Sequence, residues 1–82
     1  MFKYYLSKND GKKGVSYYCN SKSFYGTNYK GFNCSVFNEK AIIFFDTEEE
    51  AQAEKLKMSN DKRVLKGIYI NKISDLWVTE NN

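Results

Sequence analysis

At Asp46 the chain changes material. Residues 1–45 hold twelve of the fourteen aromatic side chains, with seven lysines against two acids, a net charge of +5. Residues 46–82 hold only Tyr69 and Trp77, with six bases against eight acids, a net of −2. Aromatic and β-branched residues favour a pleated, half-buried surface, while a run of Glu, Ala, Gln and Lys favours a helix. The chain must therefore join a sheet-forming half to a half that opens with a helix, and its overall charge of +3 conceals a dipolar distribution.

Eighty-two residues bound the size of the core. Such a chain buries about 60–65% of the surface its unfolded form exposes, so it is expected to form a single domain over residues 1–82 and to lean on a partner or on its own copies as a homo-oligomer. There is no histidine. That removes the imidazole general base, the Ser-His-Asp and Cys-His nucleophile pairs and the common His-containing zinc sites. No enzyme, no metal and no cofactor is expected. No apolar run is long enough to span a membrane, and the opening Met1-Phe2-Lys3-Tyr4-Tyr5-Leu6-Ser7 lacks the apolar core of a secretory signal. The expectation is a cytoplasmic protein without membrane partners. Cys19 and Cys34 are too few for a disulfide framework or a four-thiolate metal site. They read as two thiols, with a single cross-link left open for an oxidising compartment. Asn33-Cys34-Ser35 matches a glycosylation acceptor, which carries no weight without secretion.

Along the chain, Phe2-Lys3-Tyr4-Tyr5-Leu6 predicts a strand, Asn9-Asp10-Gly11 a turn, and Val15-Ser16-Tyr17-Tyr18-Cys19 the returning strand, with Gly11 and Gly14 available for positive φ. From Asn20 to Asn33 no period is clean, and the stretch reads as a long loop that leaves room for one short strand. Cys34-Ser35-Val36-Phe37 and Lys40-Ala41-Ile42-Ile43-Phe44-Phe45 read as strands, the second as the doubly buried centre of the core. Thr47 or Asp46 caps a helix with Glu50 in capping-box position, and Glu48, Glu49 and Glu50 complement the helix dipole. Ala51 and Met58 share one stripe of that helix, which should stop near Ser59-Asn60-Asp61. Val64-Leu65 and Ile68-Tyr69-Ile70-Asn71 have strand composition, with Gly67 as a bend between them, and Leu76-Trp77-Val78-Thr79 reads as a last strand or packed tail. The fold class is thus α+β: a small, mainly antiparallel sheet of four to five strands with one helix on one face, in the order β-β-β-α-β. The opposite face is expected to be uncovered.

The stretch KAIIFFDTEEEAQAEK, residues 40–55, together with the short YY-type opening hairpin, resembles small accessory proteins of phages and mobile elements of low-GC Gram-positive bacteria. That resemblance implies a phage-like protein acting in the host cytoplasm, in a class that includes inhibitors of bacterial defence. It carries over no residue roles.

The candidate site lies in the basic, aromatic half: Lys12, Lys13, Tyr17, Lys22, Tyr25, Tyr29 and Lys30, with Tyr18, Phe24 and Phe32 beside them. Flat rings stack on bases and cations meet phosphates, so this composition suits a nucleotide-type ligand. The bland alternative is that the rings fill the core and the lysines keep the surface wet. Gly26-Thr27-Asn28-Tyr29-Lys30-Gly31 departs from a phosphate-cradling P-loop because Phe32 follows its second glycine; turn duty explains it. Trp77 reads as a core lid. Three functional readings follow in order: an anti-defence protein that sequesters a nucleotide ligand, a protein inhibitor docking on a host nuclease or other nucleic-acid enzyme, and a binder of single-stranded nucleic acid.

Overall fold

A computed structural model describes residues 2–9 and 14–74 of the chain. Four strands form one antiparallel sheet in the order β3-β2-β1-β4, from β1 (Phe2–Asn9), β2 (Val15–Lys22), β3 (Asn28–Cys34) and β4 (Ile68–Ser74). Helix α1 (Glu48–Leu56) packs on one face, and a short helix α2 (Lys62–Lys66) leads into β4. This is the expected α+β fold.

Alternation along the strands sorts the side chains into two layers. Tyr4 and Leu6 of β1, Tyr18 of β2, Phe32 of β3 and Ile68 and Ile70 of β4 face α1 and enclose Ala51, with Met58 and Leu65 closing the layer. Leu6 is wholly buried at its centre. Thr47 caps α1 by accepting the Glu50 amide proton at 3.1 Å, and the three glutamates follow in the first turn.

The β1–β2 hairpin is open at its far end. The two strands pair only near their turn, from Ser7↔Tyr17 to Asn9↔Val15. Beyond that they part, and residues 41–45 enter the gap: Ile42 bridges to Cys19 of β2, and Phe45 bridges to Tyr4 of β1. The run expected to be a strand is thus a wedge, tied by Asn20 N to Ala41 O (3.0 Å), Ile43 N to Tyr18 O (3.1 Å) and the reciprocal Tyr4–Phe45 pair (2.9 and 2.8 Å). It is apolar throughout because both sides are used. Ile43 and Phe45 join the helix-side core, while Phe44 goes to the other face.

That other face is therefore not bare. Phe44 and Phe37 pack with Tyr5 and Tyr17 in a cluster with centroids 5.2–6.4 Å apart, edge-to-face except for the tilted Tyr5–Tyr17 pair. Burial and the neighbouring Tyr17 phenol push the Tyr5 phenol above its ordinary range. Beside it, Asn71 donates to the Ser7 hydroxyl at 2.8 Å, satisfying a buried polar group.

Other expectations are corrected. The third strand is Asn28–Cys34, and residues 35–41 belong to no strand. Val64 and Leu65 lie in α2, capped by Asp61 at its start and closed by Gly67, which ends a helix where a bend between strands was expected. Arg63 beside it holds the Asp61 carboxyl below the usual range. The segment 76–79 and Trp77 lie outside the described residues.

Candidate functional site

The β2–β3 hairpin is built by a turn whose residues explain its shape. Gly26 N donates to Ser23 O at 2.9 Å, Thr27 N to Ser23 Oγ at 3.1 Å, and Ser23 N to Thr27 O at 2.8 Å. Ser at the first position and Gly at the fourth suit such a turn, and Gly26 takes φ +83, a conformation other residues rarely adopt. Phe24 and Tyr25 occupy the two central positions, where side chains must point away from the strands. They are 97% and 90% exposed, with rings edge-to-face at 5.5 Å.

The register of the hairpin places the other candidates. Lys22 pairs with Asn28, Asn20 with Lys30, and Ser21 with Tyr29. Lys22 and Lys30 are diagonal neighbours on one face, and Tyr29, 46% exposed, projects from the other. Tyr17 belongs to the Tyr5–Phe37–Phe44 cluster at the root of the sheet, away from the tip. Tyr18 is buried and donates to Glu54 of α1 at 3.0 Å; burial and that carboxylate push its phenol up to about 12. Lys12 and Lys13 lie outside the described residues. Of the seven candidates, the hairpin thus gathers Lys22, Tyr25, Tyr29 and Lys30, and it adds Phe24, whose exposure follows from its place between Ser23 and Gly26.

These residues line no enclosed cavity among those the described residues form. A shallow depression of about 460 Å³ lies along α1 against Glu48, Glu49, Gln52, Ala53 and Leu56, and one of about 220 Å³ lies between α1 and α2. Neither touches the hairpin. The arrangement at the hairpin is instead a protruding finger. It has two apolar rings at its tip, lysines on one side, and no acidic residue anywhere from position 14 to 38. Chemically it can insert rings into a groove or stack them, and it favours negatively charged surroundings. Among the described residues, no group of three or more acids and thiols is arranged to hold a metal ion. Nor is any helix among them long and apolar enough to cross a membrane. No protein-family model, curated protein or solved structure matches the chain.

Proposed function

We propose that this is a non-catalytic binding protein that works through the tip of the β2–β3 hairpin, docking Phe24 and Tyr25 into an apolar groove with an acidic rim on a partner protein. The observation that carries this reading is the exposure of the two rings, 97% and 90%, on a hydrogen-bonded turn. Rings held out at that level have no role in the core, and aromatic anchors supply a large share of the energy at protein interfaces. Lys22 and Lys30 behind them would steer the finger toward carboxylates. With the resemblance to phage accessory proteins, the partner is a host nucleic-acid enzyme, and the carboxylate-lined cleft of a metal-dependent nuclease has the complementary charge.

A second reading rests on a different observation. The acid-free stretch 14–38, with Tyr29 and the two lysines near the tip, suits a phosphate-bearing ligand. The open form of the surface favours a single strand over an enclosed mononucleotide. Three titrations separate the readings: a purified metal-dependent nuclease, a panel of cyclic and linear nucleotides, and a single-stranded oligonucleotide across salt concentrations. Docking predicts a one-to-one complex and inhibition that Phe24→Ala/Tyr25→Ala abolishes. Oligonucleotide binding with a steep salt slope and no complex with any nuclease would replace it with the second reading.

A further inference from the structure

At the root of the same hairpin, β2 and β3 fall out of register between Tyr17 and Tyr18. Tyr18 pairs with Phe32, yet Tyr17 pairs with Cys34, so Asn33 is an extra residue on β3. In a regular ladder Asn33 would stand opposite Tyr17, and Cys34 would fall on the face that carries α1. The bulge puts Cys34 on the face of Tyr17 and Cys19 instead. There the Cys34 thiol donates to Cys19 Sγ at 2.7 Å, with no disulfide joining them. The two differ in access. Cys19 is completely enclosed, next to the Ile42 wedge, whereas Cys34 is partly open to solvent. Gly31, opposite Cys19, keeps this face low: a side-chain carbon there would lie 2.9 Å from Asn33 Nδ2, which itself reaches Ser21 Oγ at 3.4 Å.

We infer that Cys19 and Cys34 form a dithiol modification site that a low-molecular-weight disulfide of the glutathione class converts to an intramolecular disulfide across β2 and β3. A covalent S–S bond is about 2.05 Å long, so the sulfurs need to close by less than about one ångström. Accessibility sets the order of events. Cys34 loses its proton to solvent, and its thiolate attacks one sulfur of the reagent. The reagent's S–S bond breaks, one glutathione leaves as thiolate, and Cys34 carries the other in a mixed disulfide. Cys19, already in contact, loses its proton and attacks Cys34 Sγ, expelling the second glutathione. Two protein thiols are oxidised and one reagent disulfide is reduced to two thiols. The first step is gated, because the bond to Cys19 and burial push the Cys34 thiol up to about 11, so capture speeds up as pH rises toward that value. The product staples the strands that carry Lys22, Tyr29 and Lys30 and that lead into the turn holding Tyr25. The inference stands independently of what the hairpin binds.

The test is incubation of the full chain with glutathione disulfide at pH 8, followed by intact mass, peptide mapping and melting. The wild type should lose two hydrogens, retain no glutathione, yield a linked Cys19–Cys34 peptide pair, and melt on the order of 10 °C higher than the reduced form. Cys19→Ser should stop at the mixed disulfide. Cys34→Ser should take up no glutathione while folded, and should show no change in melting; this variant, with the wild-type peptide map, decides the matter even if Cys19→Ser does not fold. A wild-type product that keeps its glutathione, or that cross-links two chains, would overturn the assignment.

Discussion

The phenol of Tyr18 donates to the Glu54 carboxylate at 3.0 Å, tying the middle of β2 to the inner side of α1. It connects the aromatic half of the chain to the acidic half across thirty-six residues. Burial and the carboxylate both favour the protonated phenol, so its folded-state value of about 12 stands above the ordinary value of 10.0. The stability this contributes is fully present below pH 10 and is lost as pH rises from 10 toward 12. Tyr18→Phe should cost about 1 kcal/mol at pH 7. Urea titrations at pH 8 and pH 11 should show a smaller loss between the two in the variant than in the wild type; equal losses would remove the linkage.

Tyr17 and Tyr25 should behave oppositely. Tyr17 shares ring contacts with Tyr5 and Phe37, so Tyr17→Ala should destabilise by about 2 kcal/mol. Tyr25→Ala and Phe24→Ala, at positions almost fully exposed, should each stay within about 0.5 kcal/mol of wild type while weakening partner binding by tenfold or more. Chemical denaturation beside a binding titration checks both halves of the statement.

The wedge offers a third test. Phe44 meets Tyr5 and Phe37 on one face of the sheet while its neighbours Ile43 and Phe45 pack on the other. Phe44→Ala should cost about 2 to 3 kcal/mol and expose amides of residues 41–45 to hydrogen exchange before those of the β1–β4 pairing. Uniform exchange across both would show that the wedge opens only with the whole sheet.

Thr47→Ala removes the one side-chain acceptor at the Glu50 amide, and should lower stability by about 1 kcal/mol. Thr47→Asp should retain most of it, as measured by thermal melting.

Local chemistry made part of this molecule legible in advance. The capped start of α1, the opening hairpin, the period-two alternation of β4 and the positive φ of Gly14 each depend on a few adjacent residues. In the site, the outward placement of Tyr25 follows from a turn that Ser23 and Gly26 specify locally. Val64 and Leu65 misled because apolar composition is a weak signal over two residues, and the Asp61 cap outweighs it. The strand Asn28–Cys34 was hidden because β3 is an edge strand in which Gly31 and a bulge interrupt the alternation.

The sequence by itself determined the elements whose causes are local: where the chain turns, where α1 begins, and which half is aromatic and which acidic. Only the tertiary structure decided what residues 41–45, Tyr17 and the cysteines do. An apolar run is equally suited to a ladder or a wedge until β1 and β2 part to admit it. An aromatic ring is equally suited to core or ligand until its neighbours are in place. Two thiols fifteen residues apart become partners only because one extra residue in β3 turns Cys34 onto the face that holds Cys19.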